Sequence, residues 1–474
     1  MNPAACDLGL VGLGVMGRNL ALNFTDHGYQ VAVYNRTPDQ TRKFIAGAGL
    51  DRDIHPTYSF PELLDSLRTP RSVLVMVTAG PPVDAVITAL TPLLEPGDLI
   101  IDGGNSHFAD TDRRARLLAD ADLLFLGLGV SGGELGAHYG PSLMPGGSWE
   151  GYERLEPLLT ASAARVNGEP CVAYLGPGAA GHFVKMVHNG IEYALEQLIA
   201  ESYDLLRRGL GLNCDDMAEV FTAYNRGILK SYLMEITSHI LKRRDDETGQ
   251  PLVTLIRDVA AQKGTGIWTV KAALDLGMPL PAIDVAVSWR HLSTLKEERE
   301  AAAGLLPGPG PFSPGTGGWL GFIDKLENAL WAAFMTTFAQ GLALLRRASE
   351  AYQYNLDLAT VTRIWRGGCI IRAALLEDLM AACRARPGLP NILLDPDLGR
   401  KVADRQGAWR EVVKAAIDWG LPAPAFMATL AYFDAYRSRC LPANVIQAQR
   451  DYFGAHTYER VDRDGAFHTD WLPG

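Results

Sequence analysis

The segment GHFVKMVHNGIEYALEQL, from Gly181 to Leu198, has the period of a helix with its polarity inverted. An ordinary amphipathic helix places apolar residues at i, i+3, i+4, i+7 and i+8 and turns its charged residues to water. Here that register reads Lys185, His188, Asn189, Glu192 and Tyr193, while Phe183, Val184, Met186, Val187, Ile191, Ala194 and Leu195 occupy the other sides. The pattern predicts a largely buried helix with one narrow line of ionisable groups. Such a line is either a satisfied buried polar network or a site.

Upstream the pattern changes. DLGLVGLGVMGRNLALNFTDHGYQVAVYNRT opens with a short apolar strand, turns at Gly12, Gly14 and Gly17, enters a helix that stops at Gly28, and continues into a strand from Gln30 to Tyr34. The apolar runs SVLVMVTAG, DLIIDGGNS and DLLFLGLGVSGG each end in small residues or glycine. That is the signature of buried parallel strands whose C-terminal ends open on a ligand crevice. Asn105 and Ser131-Gly132-Gly133 lie at two of these ends, where turn chemistry and substrate contact are both open readings. Beyond about residue 178 the glycine-punctuated strands give way to long helical periods. The expected architecture is an α/β Rossmann-type N-terminal domain (1–178), a large all-α domain (179–440) and a C-terminal tail (441–474).

The helical region repeats itself. FVKMVHNGIEYALEQLIAESYDLLRR from Phe183 aligns without gaps on FIDKLENALWAAFMTTFAQGLALLRR from Phe322, and VFTAYNRGILKSYL continues the match into VTRIWRGGCIIRAAL. One helical unit used twice, at roughly 181–240 and 320–380, explains this. Opposite Lys185, His188, Glu192 and Tyr193 the second copy carries Asp324, Glu327, Trp331 and Ala332. A stripe needed for folding would be kept in both copies; its loss from one points to function.

Composition narrows the class. A chain of 474 residues with 47% apolar and 21% charged residues is an ordinary multidomain enzyme, and an N-terminus without a basic n-region predicts a cytoplasmic one. LENALWAAFMTTFAQGLALL is the most membrane-like run, but Glu327, Asn328 and Gln340 interrupt it, which suits a buried core helix; no membrane role is expected. Six scattered cysteines without C-x-x-C pairs argue against disulfides and structural zinc, and no metal site is expected. A formal charge of −10 disfavours a nucleic-acid surface while leaving room for a small anion in a local cationic pocket.

The glycine turn sits directly after a strand and opens a helix, the context in which it cradles a dinucleotide pyrophosphate. At the end of the second strand, Asn35-Arg36-Thr37 offers no carboxylate for a ribose 2′-hydroxyl but does offer an arginine for a 2′-phosphate. The expected cofactor is NADP; a solvated surface arginine is the plainer reading of Arg36.

With these residues in view, the sequence resembles the decarboxylating 6-phosphogluconate dehydrogenases along nearly its whole length. GHFVKMVHNGIEY, VSGGELGAHYGPSLMPGG, AQKGTGIWT, WRGGCIIR and PANVIQAQRDYFGAHTYER carry the likeness. The resemblance implies NADP-dependent oxidative decarboxylation of 6-phosphogluconate to ribulose 5-phosphate, a pentose phosphate pathway step. It implies NADP contacts at Gly12, Gly14, Val15, Met16, Gly17, Asn35, Arg36, Thr37, Val77, Thr78, Ala79 and Asn105. It implies substrate contacts at Asn105, Ser131, Gly132, Gly133, His188, Asn189, Tyr193, Lys263, Thr265 and Arg290, with Lys185 and Glu192 catalytic. Arg450 and His456 in the tail would reach the neighbouring active site of a homodimer, or of a tetramer built from it. Thr78 departs from the family's usual lysine in VKAG, which touches the cofactor side.

The chemistry fits the stripe. Hydride loss from a carbinol needs a base, and burial lowers a lysine's pKa toward that task. A 3-keto acid then loses carbon dioxide with only an enolate sink, and an acid must protonate carbon 1 of the resulting enediol to give ribulose 5-phosphate. Lys185 is assigned as base and Glu192, roughly 10 Å along the helix, as acid. Two rivals remain: a 3-hydroxyisobutyrate-type dehydrogenase, which lacks the second helical copy and the tail, and a non-catalytic NADP-binding protein.

Overall fold

The computed structural model describes residues 5–309 and 319–472. Its N-terminal part is a seven-stranded sheet: β1 (Leu8–Val11), β2 (Val31–Tyr34), β3 (Ile54–Thr57), β4 (Ser72–Val75), β5 (Leu99–Asp102), β6 (Leu124–Ser131) and β7 (Ser142–Gly147). The order is β3-β2-β1-β4-β5-β6-β7, parallel throughout except that β7 runs antiparallel to β6. The pleat sends alternate residues to opposite faces. Leu8, Leu10, Val33, Leu74, Ile101 and Leu126 join one apolar layer, and Val11, Ala32, Val73, Val75, Ile100 and Phe125 the other. Both faces are covered, which is why the strands read as unbroken apolar runs. The strand order reverses between β1 and β4, so a crevice opens beyond their C-terminal ends.

Two strands escape that apolar signature. β3, IHPT, is an edge strand that carries Pro56 and the exposed His55, and an edge tolerates both. β7, SLMPGG, is buried but spends half its length on proline and glycine.

From Ala180 to Gly454 the regular elements are helices, and the tail then closes with a short antiparallel pair of strands, Tyr458–Glu459 and Ala466–Phe467. The Ala180–Asp204 helix packs against the Trp319–Tyr352 helix, and together they centre the largest apolar core. Gly321–Tyr352 is long and apolar enough to cross a membrane, but 94% of its most apolar window is buried within the protein. Gln340, one of its interruptions, is buried and accepts from the Ala282 N–H (3.1 Å). Corresponding segments of the two copies meet at an antiparallel bridge between Ser231 and Ala373. Glu201 fastens the far end of the Ala180–Asp204 helix by accepting from Ala425 N (2.8 Å) and Phe426 N (3.0 Å), the free donors that open the Pro424–Tyr436 helix.

Candidate active site

The Ala180–Asp204 helix begins on the ends of β6 and β7 with no side chains between. A Cβ on Gly181 would lie 2.3 Å from the Met144 carbonyl oxygen and 2.5 Å from that of Gly127; one on Gly129 would lie 2.6 Å from Lys185 Cβ. Only glycine permits so close a seat. Its effect is to hold Lys185 beside Ser131 at the mouth of the sheet.

Along the stripe, Lys185 and Asn189 are buried and His188 is wholly so. His188 Nδ1 lies 3.1 Å from Asn189 Oδ1, 3.5 Å from Lys185 Nζ and 3.7 Å from Glu192 Oε2, while Nε2 faces the Ser131 hydroxyl at 3.3 Å. Burial, reinforced by Lys185, pushes the His188 pKa well below its ordinary value, so the ring is neutral. A neutral ring that donates from Nδ1 to Asn189 leaves Nε2 to accept from Ser131. Burial lowers the Lys185 pKa, opposed by the Glu192 carboxylate. Burial raises Glu192 to about 7, against the pull of Lys185. One helix face thus holds a softened ammonium and a carboxylic acid with a neutral imidazole between them.

Tyr193 continues the row. Arg290 stacks on its ring, with the guanidinium carbon 3.6 Å from the ring centroid, and Gly266 packs so close that any Cβ there would fall 2.6 Å from a ring carbon. Arg290 also donates to the Ala261 carbonyl (2.9 Å) and pairs with Glu196. Thr265 is the buried first residue of the Thr265–Asp275 helix, and Lys263 stands exposed just before it. Cations and hydroxyls therefore gather at the end of the row away from Lys185.

The crevice between β1 and β4 is about 700 Å³ and is lined by Gly12, Gly14, Asn35, Arg36, Thr37, Val77, Thr78, Pro81 and Pro82, among others. Gly12 has φ +106°, and a Cβ there would lie 2.4 Å from the Met76 carbonyl; a Cβ on Gly17 would lie 2.0 Å from the Gly12 carbonyl. By contrast, nothing stands within 4 Å of a Cβ on Gly14, the N-cap of the Val15–Asp26 helix, so the turn is tight behind and open in front. Val15 and Met16 form its first turn. Among the described residues the lining contains one arginine and no carboxylate, a donor set that suits a phosphorylated ribose. Asn35 is already engaged: its Oδ1 accepts from Leu13 N (3.0 Å) and its Nδ2 donates to Gln40 Oε1 (3.0 Å), locking the glycine turn to β2.

Two family models cover almost all of the chain: the NAD binding domain of 6-phosphogluconate dehydrogenase matches residues 7–176, and the 6-phosphogluconate dehydrogenase C-terminal domain matches 181–471. The chain belongs to the 6-phosphogluconate dehydrogenase family. Among its relatives, the decarboxylating 6-phosphogluconate dehydrogenase of Synechococcus elongatus is 54% identical over 98% of this chain and 99% of its own length. The NADP(+)-dependent, decarboxylating enzyme of Bacillus subtilis is 50% identical over the same shares. A solved 6-phosphogluconate dehydrogenase from Plasmodium falciparum, studied apo, with NADP+ and with 6-phosphogluconate, superposes with a TM-score of 0.95 at 42% identity, covering 98% of this chain and all of that one.

Two residues that the 6-phosphogluconate dehydrogenase resemblance marks are not gathered with the rest in this single chain. Arg450 and His456 are exposed, and their contacts stay within the tail: Arg450 donates to Gln447 Oε1 (3.2 Å) and His456 meets Phe453 edge-on. Three residues outside the expected set support the row. Glu196 holds Arg290; it lies four residues beyond Glu192, so extending the stripe by one more turn finds it. Trp365 sets its ring edge against His188 (5.7 Å), and Cys369, with its thiol pKa pushed up to about 12 by burial, lies within electrostatic reach of Lys185. Both belong to the second copy's WRGGC loop, and no local pattern announces them.

Proposed function

We propose that this chain oxidises and decarboxylates 6-phosphogluconate to ribulose 5-phosphate, with NADP as hydride acceptor, as a pentose phosphate pathway step in the cytoplasm. The observation that carries the reading is the pairing, on one buried helix face, of Lys185 with its pKa lowered and Glu192 with its pKa raised to about 7. A base and an acid each brought toward neutral pH are suited to taking up and delivering protons at that pH.

NADP, when bound, would supply the acceptor for the hydride that leaves carbon 3. Gly12, Gly14, Val15, Met16 and Gly17 would hold its pyrophosphate side, Asn35, Arg36 and Thr37 its phosphorylated ribose, and Val77, Thr78, Ala79 and Asn105 the reacting end. Lys185 accepts the carbon-3 hydroxyl proton. The product ketone lies β to the carboxylate, so the carbon–carbon bond breaks with its electrons flowing to that oxygen, and protonated Lys185 stabilises the oxyanion. Glu192, protonated below about pH 7, delivers a proton to the carbon that lost the carboxylate, which becomes carbon 1 of ribulose 5-phosphate. Ser131, Gly132, Gly133, His188 and Asn189 orient carboxylate and hydroxyls. Tyr193, Lys263, Thr265 and Arg290 receive the phosphate, completed by Arg450 and His456 of a second subunit in a homodimer. The reading assigns residues 1–178 to the cofactor, 179–440 to substrate and dimerisation, and 441–474 to the partner's site.

A steady-state assay with 6-phosphogluconate, comparing NADP with NAD and measuring carbon dioxide, tests it. Equal amounts of NADPH and carbon dioxide are expected. Turnover of a non-phosphorylated 3-hydroxy acid without carbon dioxide would overturn it.

A further inference from the structure

A buried guanidinium ties together the two loops that close the sheet's side of the site. Arg114, on the Phe108–Ala119 helix, has no exposed surface. Its Nε donates to Asp84 Oδ1 (2.8 Å), its Nη1 to Asp102 Oδ2 (3.1 Å) and Ser106 Oγ (3.1 Å), and its Nη2 to the Gly80 carbonyl (3.0 Å). Gly80 ends the loop that follows β4, and Asp102 and Ser106 bracket the loop that carries Asn105. The Ser106 hydroxyl donates a hydrogen bond to Asp102 Oδ2 (2.6 Å), whose other oxygen accepts from Gly104 N (3.1 Å). The loops also touch: a Cβ on Gly104 would lie 3.2 Å from the Val77 carbonyl. Thr78 and Asn105 are the exposed tips of this otherwise covered assembly.

Burying a guanidinium is costly even when it is paired, and a hydrophobic side chain of similar volume is often as stabilising. What the hydrophobic substitute cannot do is fix two loops by direction. A planar fork reaches Asp84, Asp102 and Gly80 on separate sides, which the compact ammonium of lysine cannot do. We propose that Arg114 is a positioning residue: it sets the spacing between the Val77–Gly80 loop and the Asp102–Ser106 loop, and so aligns cofactor with substrate. This rests on the proposed function, in which those loops face NADP and 6-phosphogluconate.

The test uses the full-length protein and two variants, Arg114→Lys and Ser106→Ala, assayed for kcat and for both KM values, with thermal melting and circular dichroism on the same samples. Arg114→Lys should lower kcat about tenfold or more and raise both KM values, because misplacement by a fraction of an ångström is felt in the transition state. Ser106→Ala, which removes one bridging hydroxyl, should move the same quantities in the same direction by less. A purely structural role would instead lower kcat in proportion to folded protein and leave both KM values alone; that result overturns the proposal. So does retention of all three constants within about twofold in both folded variants. If Arg114→Lys fails to fold, Ser106→Ala decides. If the wild-type chain shows no NADP-linked turnover, the proposed function has failed, and the inference is then read from NADP affinity by tryptophan fluorescence, which Arg114→Lys must weaken.

Discussion

Replacing Gly129 by alanine should disable the enzyme while leaving it folded. The added Cβ would stand 2.6 Å from Lys185 Cβ, 3.1 Å from Met144 Cβ and 3.2 Å from the Gly181 carbonyl oxygen. Non-bonded carbons rest at roughly 3.5–4.0 Å, so the helix must retreat from β6 by about 1 Å at Lys185. Overpacking of this kind costs about 1–3 kcal/mol, a modest loss for a domain with so large a core. If Lys185 is the base proposed above, a displacement of about 1 Å there costs about 10²-fold in rate. The measurement is kcat with 6-phosphogluconate and NADP beside a thermal melt. Gly304→Ala is the control: it lies in the Lys296–Leu305 helix with nothing within 4 Å of its Cβ, and should leave kcat unchanged. A Gly129→Ala enzyme with kcat within about twofold of wild type would refute the glycine seat as what positions Lys185.

Lys185→Ala should lose about 10²–10⁴-fold in hydride transfer while still binding substrate, and near-normal turnover would remove Lys185 as the base. Glu192 has its pKa raised from 4.5 to about 7, so its acid form is complete below the lower value and lost as pH rises through about 7; Lys185, lowered from 10.5, gains its base form as pH rises. The two titrate as a unit. A kcat profile with opposing limbs is expected, and Glu192→Gln should abolish solvent deuterium incorporation at carbon 1; a flat profile or unchanged incorporation contradicts the assignment. Arg36→Ala should raise KM for NADP about tenfold and leave that for NAD little changed, whereas equal effects on both would make Arg36 a surface residue. Mixing inactive Lys185→Ala and Arg450→Ala chains should restore activity, and failure despite proven subunit exchange would refute a site shared between subunits.

Much of this was legible in the chain because it is written locally. The stripe from Lys185 to Tyr193 obeys the helix period, and the turn at Gly12, Gly14 and Gly17 follows a strand and opens a helix, so short windows suffice to find them. What escaped is either irregular or non-local. β3 and β7 carry proline or glycine in place of apolar residues. Gly129 and Gly181 look like separate turn or strand glycines until the fold lays one backbone on the other. Arg114 lies in a helix whose pattern suggests only a charged face, yet its partners come from three other segments. Trp365 and Cys369 meet His188 and Lys185 across a chain separation that no window spans.

Those last contacts are made by the segment whose sequence repeats that of the Lys185 helix. The second segment keeps Asp324, Glu327 and Asn328 at the first three row positions but places Trp331 and Ala332 where the first has Glu192 and Tyr193, and both are buried. Its long helix then serves as a wall: Gly341 lies so near the Ala180–Asp204 helix that a Cβ there would fall 2.5 Å from the Ile191 side chain. Its following loop reaches the mouth of the sheet, where the Gly368 carbonyl accepts from Ser142 N (2.7 Å) and would stand 2.8 Å from a Cβ on Gly132. The same loop brings Trp365 and Cys369 behind the row. A helix with ionisable groups on one line can be buried only if its other sides are covered by apolar surface of matching shape. The Trp319–Tyr352 helix, apolar where it meets Ile191, supplies part of that surface, and burial of the row shifts Lys185 downward and Glu192 upward.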